Sequence, residues 1–308
     1  MTSIRQNIVE NKTKLMGVSI CLIMLFHTNA GSNCLVVTFV KNLCDIGVDM
    51  FLFLSGFTCA YSFARNPNVR LFYKKRFIRI VPAYLIVATL WYAWHYVQND
   101  NMSWQVWLFN IFTLNFFIDG CLDFWYIPVI IVFYFLLPPY VGLIKRNRLG
   151  RYIPYLIVIG SFIGAFLHFF EPQSFLYLRL PIYLIGINAF YYSNNVEKDM
   201  PSYVKLFILI VALMGLFYVM YIRPDYYQLK YLFYIPLVLF IMQIRKGIQV
   251  RIFSILGIYT LELYLLHERV QWILAKHIES LCLLFVLSVC LACVGAYVLH
   301  RALKWVKI

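Results

Sequence analysis

The feature that most constrains this chain is a succession of long apolar segments, at about 15–30, 44–64, 80–98, 124–144, 152–170, 175–192, 203–222, 230–244, 252–273 and 280–299, joined by short connections. A helix needs about 20 mostly apolar residues to cross the hydrocarbon of a bilayer. Ten such segments occupy most of the 308 residues. The sequence therefore predicts an all-α polytopic membrane bundle of about ten transmembrane helices, organised as a single domain over 1–308. A water-soluble enzyme is excluded, because 63% of the residues are hydrophobic and 13% are charged, where soluble domains carry about a quarter charged residues. The eighth segment is short. The stretch WQVWLFNIFTLNFFI at 104–118 is interrupted by Asn110 and Asn115 and reads as interfacial or re-entrant. The polar N-terminus leads into the first segment without a small-residue cleavage site, so that segment reads as a retained span.

The chain carries 27 Lys and Arg against 13 Asp and Glu, a net charge of +14. Such an excess fits nucleic acid, anionic lipid or membrane topology. With the N-terminus placed inside, only Lys41, Arg179, Arg223, Lys230, Arg269 and Lys276 of the 27 basic residues fall outside. That asymmetry is the positive-inside signature of a multi-pass plasma-membrane protein with both termini cytoplasmic, and no nucleic-acid partner is needed to explain the charge. Acidic residues run the other way, and His27, His95, His168, His267 and His277 lie toward the outer face. Ionisable groups inside spans are expensive and become functional candidates. The eight cysteines lack metal-ligand spacing, Cys290 and Cys293 read as helix packing, and no metal is expected. No long internal repeat supports a repeat-built transporter.

His27 ends the first segment in SICLIMLFHTNAG. Alone, such a histidine more often caps carbonyls or sits at the lipid interface. Asp45 and Asp49 lie one turn apart at the start of the second segment, and a hairpin over 30–43 brings the two ends together. A carboxylate there could orient the imidazole, making His27 a general base with Asp49 as its partner. Ser55 and Gly56 read as close helix packing. In YKKRFIRIVPAYLI, Arg76 and Arg79 stand i, i+3, either facing a phosphate-bearing ligand or serving as an orientation signal against anionic lipid. Arg179 lies inside the apolar run YLRLPIYLIGI, so it is paired within the bundle or snorkels outward; its candidate partners are Asp45, Asp49, Asp123 and Glu262. Glu262, mid-segment in LGIYTLELYLLHERV with His267, must be paired or protonated.

The ordered pieces MLFHTNAG, GVDMFLFLSGF, YKKRFIRIVPAYL, DFWYIPVIIVFYFLLPPY, YLRLPIYLIGI and LGIYTLELYLLH resemble the acyltransferase-3 family of membrane O-acyltransferases over nearly the whole chain. The resemblance implies a ten-span enzyme of the bacterial inner membrane that moves an acyl group, usually acetyl, from cytoplasmic acyl-CoA to a hydroxyl of a glycan or lipid-linked glycan. It makes His27 the catalytic histidine and Arg76 and Arg79 the arginines that hold the CoA phosphates. Asp49, Trp125, Arg179, Glu262 and His267 fall in its later motifs. One position departs: the family's arginine eleven residues before the histidine is Met16 here, and Lys12, a turn further down, is the candidate substitute by snorkelling. The family's optional soluble esterase-like domain is not expected. Membrane lipids are further partners, the oligomeric state is open, and the rival readings are a glycan or metabolite transporter or flippase and a noncatalytic family member.

Overall fold

The computed structural model describes residues 4–28, 35–98, 103–120, 122–167, 175–192, 201–243 and 250–305. The 30–34 part of the expected hairpin, His168 and the loop charges Glu197, Lys198, Asp199, Arg245, Lys246 and Lys307 lie outside these. The described chain is helical and contains no strand. In order, its α-helices are α1 (Ile4–His27), α2 (Leu35–Leu43), α3 (Ile46–Arg65), α4 (Val69–Gln98), α5 (Trp104–Ile111), α6 (Leu114–Ile118), α7 (Tyr126–Arg146), α8 (Ile153–Phe166), α9 (Phe175–Tyr192), α10 (Ser202–Phe217), α11 (Lys230–Met242), α12 (Arg251–Ile258), α13 (Thr260–Leu274) and α14 (Leu281–Trp305).

Among the described residues, six helical segments are long and apolar enough to cross a membrane: Leu35–Arg65, Val69–Gln98, Tyr126–Arg146, Arg148–Phe166, Ser202–Ile222 and Leu281–Trp305. Three of these, containing α8, α10 and α14, have only 22% of their apolar window buried, whereas the segment containing α3 has 89% buried. The most apolar helices thus turn Leu, Val and Ile outward, as lipid allows, while α1 and α9, which bear ionisable groups, pack on α3, and α13 packs on α1, α4 and α14. α1 and α9 are long enough to span but fall short of the hydropathy of a lone span, and α13 is also shorter; the polar residues responsible are satisfied by neighbours.

Backbones approach closely where glycine permits it. A Cβ on Gly17 would stand 1.8 Å from the Phe253 carbonyl oxygen, and one on Gly257 would stand 1.8 Å from that of Thr13, so α1 and α12 lock reciprocally. Gly56 and Gly186 do the same for α3 and α9, with Cβ positions 2.1 Å from the Tyr183 oxygen and 2.2 Å from the Phe53 oxygen. The packing role expected for Gly56 is the one observed.

The single span expected at 252–273 is instead two helices, because Tyr259 leaves helical geometry (φ −101°, ψ 19°) between α12 and α13. Glu262 therefore sits in the first turn of α13 rather than mid-helix. There the unpaired N–H groups of a helix start favour its charge. The 104–118 stretch forms α5 and α6, each too short to span. Its two asparagines satisfy each other, Asn115 Nδ2 donating to Asn110 Oδ1 at 2.6 Å.

Candidate functional site

The ionisable residues gather in three places. The first is a cavity of about 280 Å³ that runs along α1 from Lys12 and Met16 to Ile23, walled by α3, by Arg76 and Arg79 of α4, by Tyr126 and Tyr134 of α7, and by the α12–α13 break. Arg76 and Arg79 do share this cavity, as their spacing predicts, but they are not equivalent. Arg79 donates to both oxygens of Glu262, at 2.7 and 3.0 Å, a fork-to-fork geometry that gives the strongest class of ion pair. His300 of α14 lies 2.8 Å from the same carboxylate through Nδ1. Glu262 is thus paired, one of the two states expected for it. The Arg76 guanidinium lies 5.3 Å from the Phe72 ring centre and 5.8 Å from that of Tyr134. Its Nε is buried without a hydrogen-bond partner, and no carboxylate pairs with Arg76 or Lys12 among the described residues. Lys12 and Met16, one turn apart, both face the cavity.

The second place is the His27 end of α1. His267 Nδ1 lies 2.8 Å from the Tyr264 carbonyl oxygen and 3.0 Å from that of Leu263. Carbonyls only accept, so Nδ1 carries the proton and Nε2 the lone pair. That Nε2 is 3.4 Å from His27 Nδ1, which is also 2.9 Å from the Ile23 carbonyl oxygen. Both contacts are acceptors, so His27 in turn holds its proton on Nδ1 and keeps the Nε2 lone pair unclaimed. His27 lines a cavity of about 550 Å³ with Phe26, Glu268, Gln271, Trp272 and Lys276. The nearest wall residues of the basic cavity, Ile23 and Tyr264, precede His27 and His267 by four and three residues. About one helical turn, 5.4 Å of rise, separates these wall residues from the two histidines.

The third place is sealed. Arg179 of α9 reaches Asp45 through Nη2 at 2.9 and 3.0 Å, and its Nη1 is 3.3 Å from Asp49 Oδ2. Lys230 of α11 is 2.9 Å from Asp45 Oδ2 and donates to the Tyr227 hydroxyl at 2.6 Å. Trp125 and Tyr231 cover the guanidinium at 4.9 and 4.1 Å from their ring centres. Two acids and two bases make a neutral quartet with every side chain at most 5% exposed.

This arrangement corrects the pairing of His27 with Asp49. Asp49 is buried against Arg179 and does not touch His27. Within the bundle a full cation outcompetes a neutral imidazole for a carboxylate, because Coulomb attraction is strong at low dielectric. His267 takes the orienting place, and Glu268 supplies the negative charge beside His27. Arg179 finds Asp45 and Asp49, two of its four candidates. Asp123 instead meets Arg269, at 3.4 Å, and Arg269 also lies over the Phe124 ring at 3.6 Å. Phe124 adopts φ 53°, a costly conformation for a bulky residue. The strained turn sends Asp123 and Phe124 to Arg269 of α13 and Trp125 to Arg179 of α9.

Sequence reasoning passed over Lys230, His300, Glu268 and Gln271. Lys230 opens an apolar segment and reads as a loop charge, and His300 lies just past the last apolar segment, away from the other histidines. The available signal was the surplus of buried carboxylates over named basic partners.

A family model described as an acyltransferase domain matches residues 15–301. No curated protein and no solved structure matches the chain. The match runs from within α1 to within α14 and takes in all three ionic groups except Lys12, so the chain belongs to the acyltransferase-3 family of membrane acyltransferases.

Proposed function

We propose that this protein transfers an acyl group, acetyl in the first instance, from cytoplasmic acyl-CoA to a hydroxyl of a cell-envelope glycan, as a ten-span protein of the bacterial plasma membrane with both termini in the cytoplasm. The observation that carries this reading is the cavity that starts among Lys12, Arg76 and Arg79 and ends one turn below His27. Its basic end suits the phosphates of CoA, and its apolar stretch suits an extended thioester arm. The four segments below the single-span threshold (α1, α9, α11 and the α12–α13 pair) complete the count of ten, and the loop charges support the orientation.

In this reading Lys12 and Arg76 take the CoA phosphates, with Arg79 joining from its pair with Glu262. His27 Nε2 removes the proton of the acceptor hydroxyl, whose oxygen forms a bond to the acyl carbon as the carbon–sulfur bond breaks. The departing thiolate recovers the proton from His27. His267 holds the base in the productive tautomer, and Glu268 stabilises the imidazolium while it lasts. Reconstituted protein given acetyl-CoA and envelope glycan should release free CoA and add an acetyl increment to the glycan by mass spectrometry. A glycan unchanged in mass, with acetyl-CoA unconsumed, would reject the reading.

A further inference from the structure

α8 and α11 touch at one level and part at another. Phe162 of α8 meets Phe233 of α11 with ring centres 5.7 Å apart. Ten residues from these, at Tyr152 and Gln243, the two helices flank a cavity of about 330 Å³ backed by α9, through Ile185 and Asn188, and by Phe53 of α3. The cavity is polar at the helix ends and apolar further in. Arg151, in the 3-10 turn Arg148–Tyr152, supplies its charge. Its backbone is fixed from α9: Asn188, 7% exposed, donates through Nδ2 to the Arg151 carbonyl oxygen at 2.8 Å and accepts from the Tyr140 hydroxyl at 2.9 Å. The guanidinium lies 4.6 and 5.8 Å from the ring centres of Tyr152 and Tyr192 and donates through Nη2 to the Tyr152 hydroxyl. Among the described residues its Nη1 makes no hydrogen bond and no carboxylate pairs with it. The Tyr152 hydroxyl accepts from the arginine, so its own proton remains to be given. Arg146 and Arg148, exposed in the same connection, add positive potential. This cavity is separate from the one that holds Arg76: Phe51 and Ser55 of α3 line that one, and Phe53, about half a helical turn round, lines this one.

The chemistry selects the occupant. Aromatic rings around a cavity hold a quaternary ammonium well, but here the chain's own guanidinium lies against them, so a choline head would meet a cation. A phosphate that carries no compensating cation meets a guanidinium and a hydroxyl. A free phosphate would leave the apolar half empty. The volume is that of a small-ligand site, which admits a head group and the start of one chain, and the parting of α8 and α11 opens toward lipid. We propose that the cavity binds an anionic phospholipid of the leaflet beside Arg146 and Arg148, cytoplasmic in the orientation given above, with its phosphate on Arg151 Nη1 and the Tyr152 hydroxyl and an acyl chain along Ile185 and Leu239. The inference rests on the membrane-spanning reading and not on acyl transfer.

The test counts lipids on the full chain in detergent by native mass spectrometry, without acyl-CoA, as phosphatidylglycerol, phosphatidylcholine or glycerol 3-phosphate is titrated in. One phosphatidylglycerol per chain should be retained at a concentration at least about tenfold lower than phosphatidylcholine, the worth of a charge-assisted hydrogen bond. Arg151→Gln should remove that preference, Arg151→Lys, which keeps the charge and loses the fork, should retain part of it, and Arg148→Gln should leave it intact. The wild-type comparison stands without the variants, so a misfolded Arg151→Gln does not hide the answer. Equal retention of the two lipids by the wild type, or a preference that survives Arg151→Gln, would overturn the site. Displacement of phosphatidylglycerol by an equal concentration of glycerol 3-phosphate would overturn the lipid as its occupant.

Discussion

Arg79 and Arg179 are both held by carboxylates inside the bundle, yet the two clusters are built for different ends. Arg179 is 2% exposed and spends its charge on Asp45 and Asp49, with Lys230 balancing the count. Arg79 is 44% exposed, faces a cavity, and stands beside Arg76 and Lys12, which have no carboxylate among the described residues. A neutral, covered cluster ties α3, α9 and α11 together and has nothing to offer a ligand. An open cluster with surplus positive charge is ready for an anion. The same residue type thus serves the fold in one place and, in the function proposed above, the acyl donor in the other, and the difference lies in exposure and charge balance rather than in the arginine.

Breaking the sealed cluster should cost most. Arg179→Met leaves two buried carboxylates with one lysine, and removing one partner of a buried pair costs about 3–5 kcal/mol. The expected outcome is loss of folded protein from the membrane fraction, read by detergent-extracted thermal unfolding. The double change Asp45→Asn with Lys230→Met keeps the quartet neutral and should unfold at a higher temperature than either single variant. Additive losses would show that the two groups are independent.

Arg76→Ala in the open cluster should behave oppositely. Its unfolding temperature should stay near wild type while KM for acetyl-CoA rises about tenfold to a hundredfold, the worth of one or two charge-assisted hydrogen bonds. Glu262→Gln, which loosens Arg79, should tighten CoA binding by a few-fold in calorimetry, because the guanidinium no longer has to leave a carboxylate. Unchanged affinity there would mean that Arg79 does not exchange partners. Met16→Arg is the smallest change: a cation added to the wall between Lys12 and Ile23 should lower KM for acetyl-CoA modestly, with kcat preserved.

The comparison also shows what the sequence could and could not disclose. The helical membrane architecture was legible because apolar length is a local property, and the shared cavity of Arg76 and Arg79 was legible because i, i+3 spacing fixes a helix face. Arg179 was legible as paired, since an intramembrane arginine has few alternatives. The partner of His27 was not. Asp49 is nearer in sequence, but which carboxylate meets which base depends on how α9 and α11 close over α3, and those contacts span more than a hundred residues. The break at Tyr259 was hidden for a related reason: no proline marks it, and the nearest glycine, Gly257, is fixed by its packing on α1. The central helices also blurred the count of spans, because residues that would be intolerable toward lipid are satisfied toward each other.

The account turns on His27 as the base served by a donor cavity it does not itself line. The most direct measurement is acetyl-CoA consumption by reconstituted wild-type protein and His27→Ala with envelope glycan as acceptor, alongside calorimetric CoA binding to both. The expected result is loss of transfer in His27→Ala with CoA affinity and unfolding temperature unchanged. Transfer at the wild-type rate in that variant, with the protein folded and CoA bound, would contradict it.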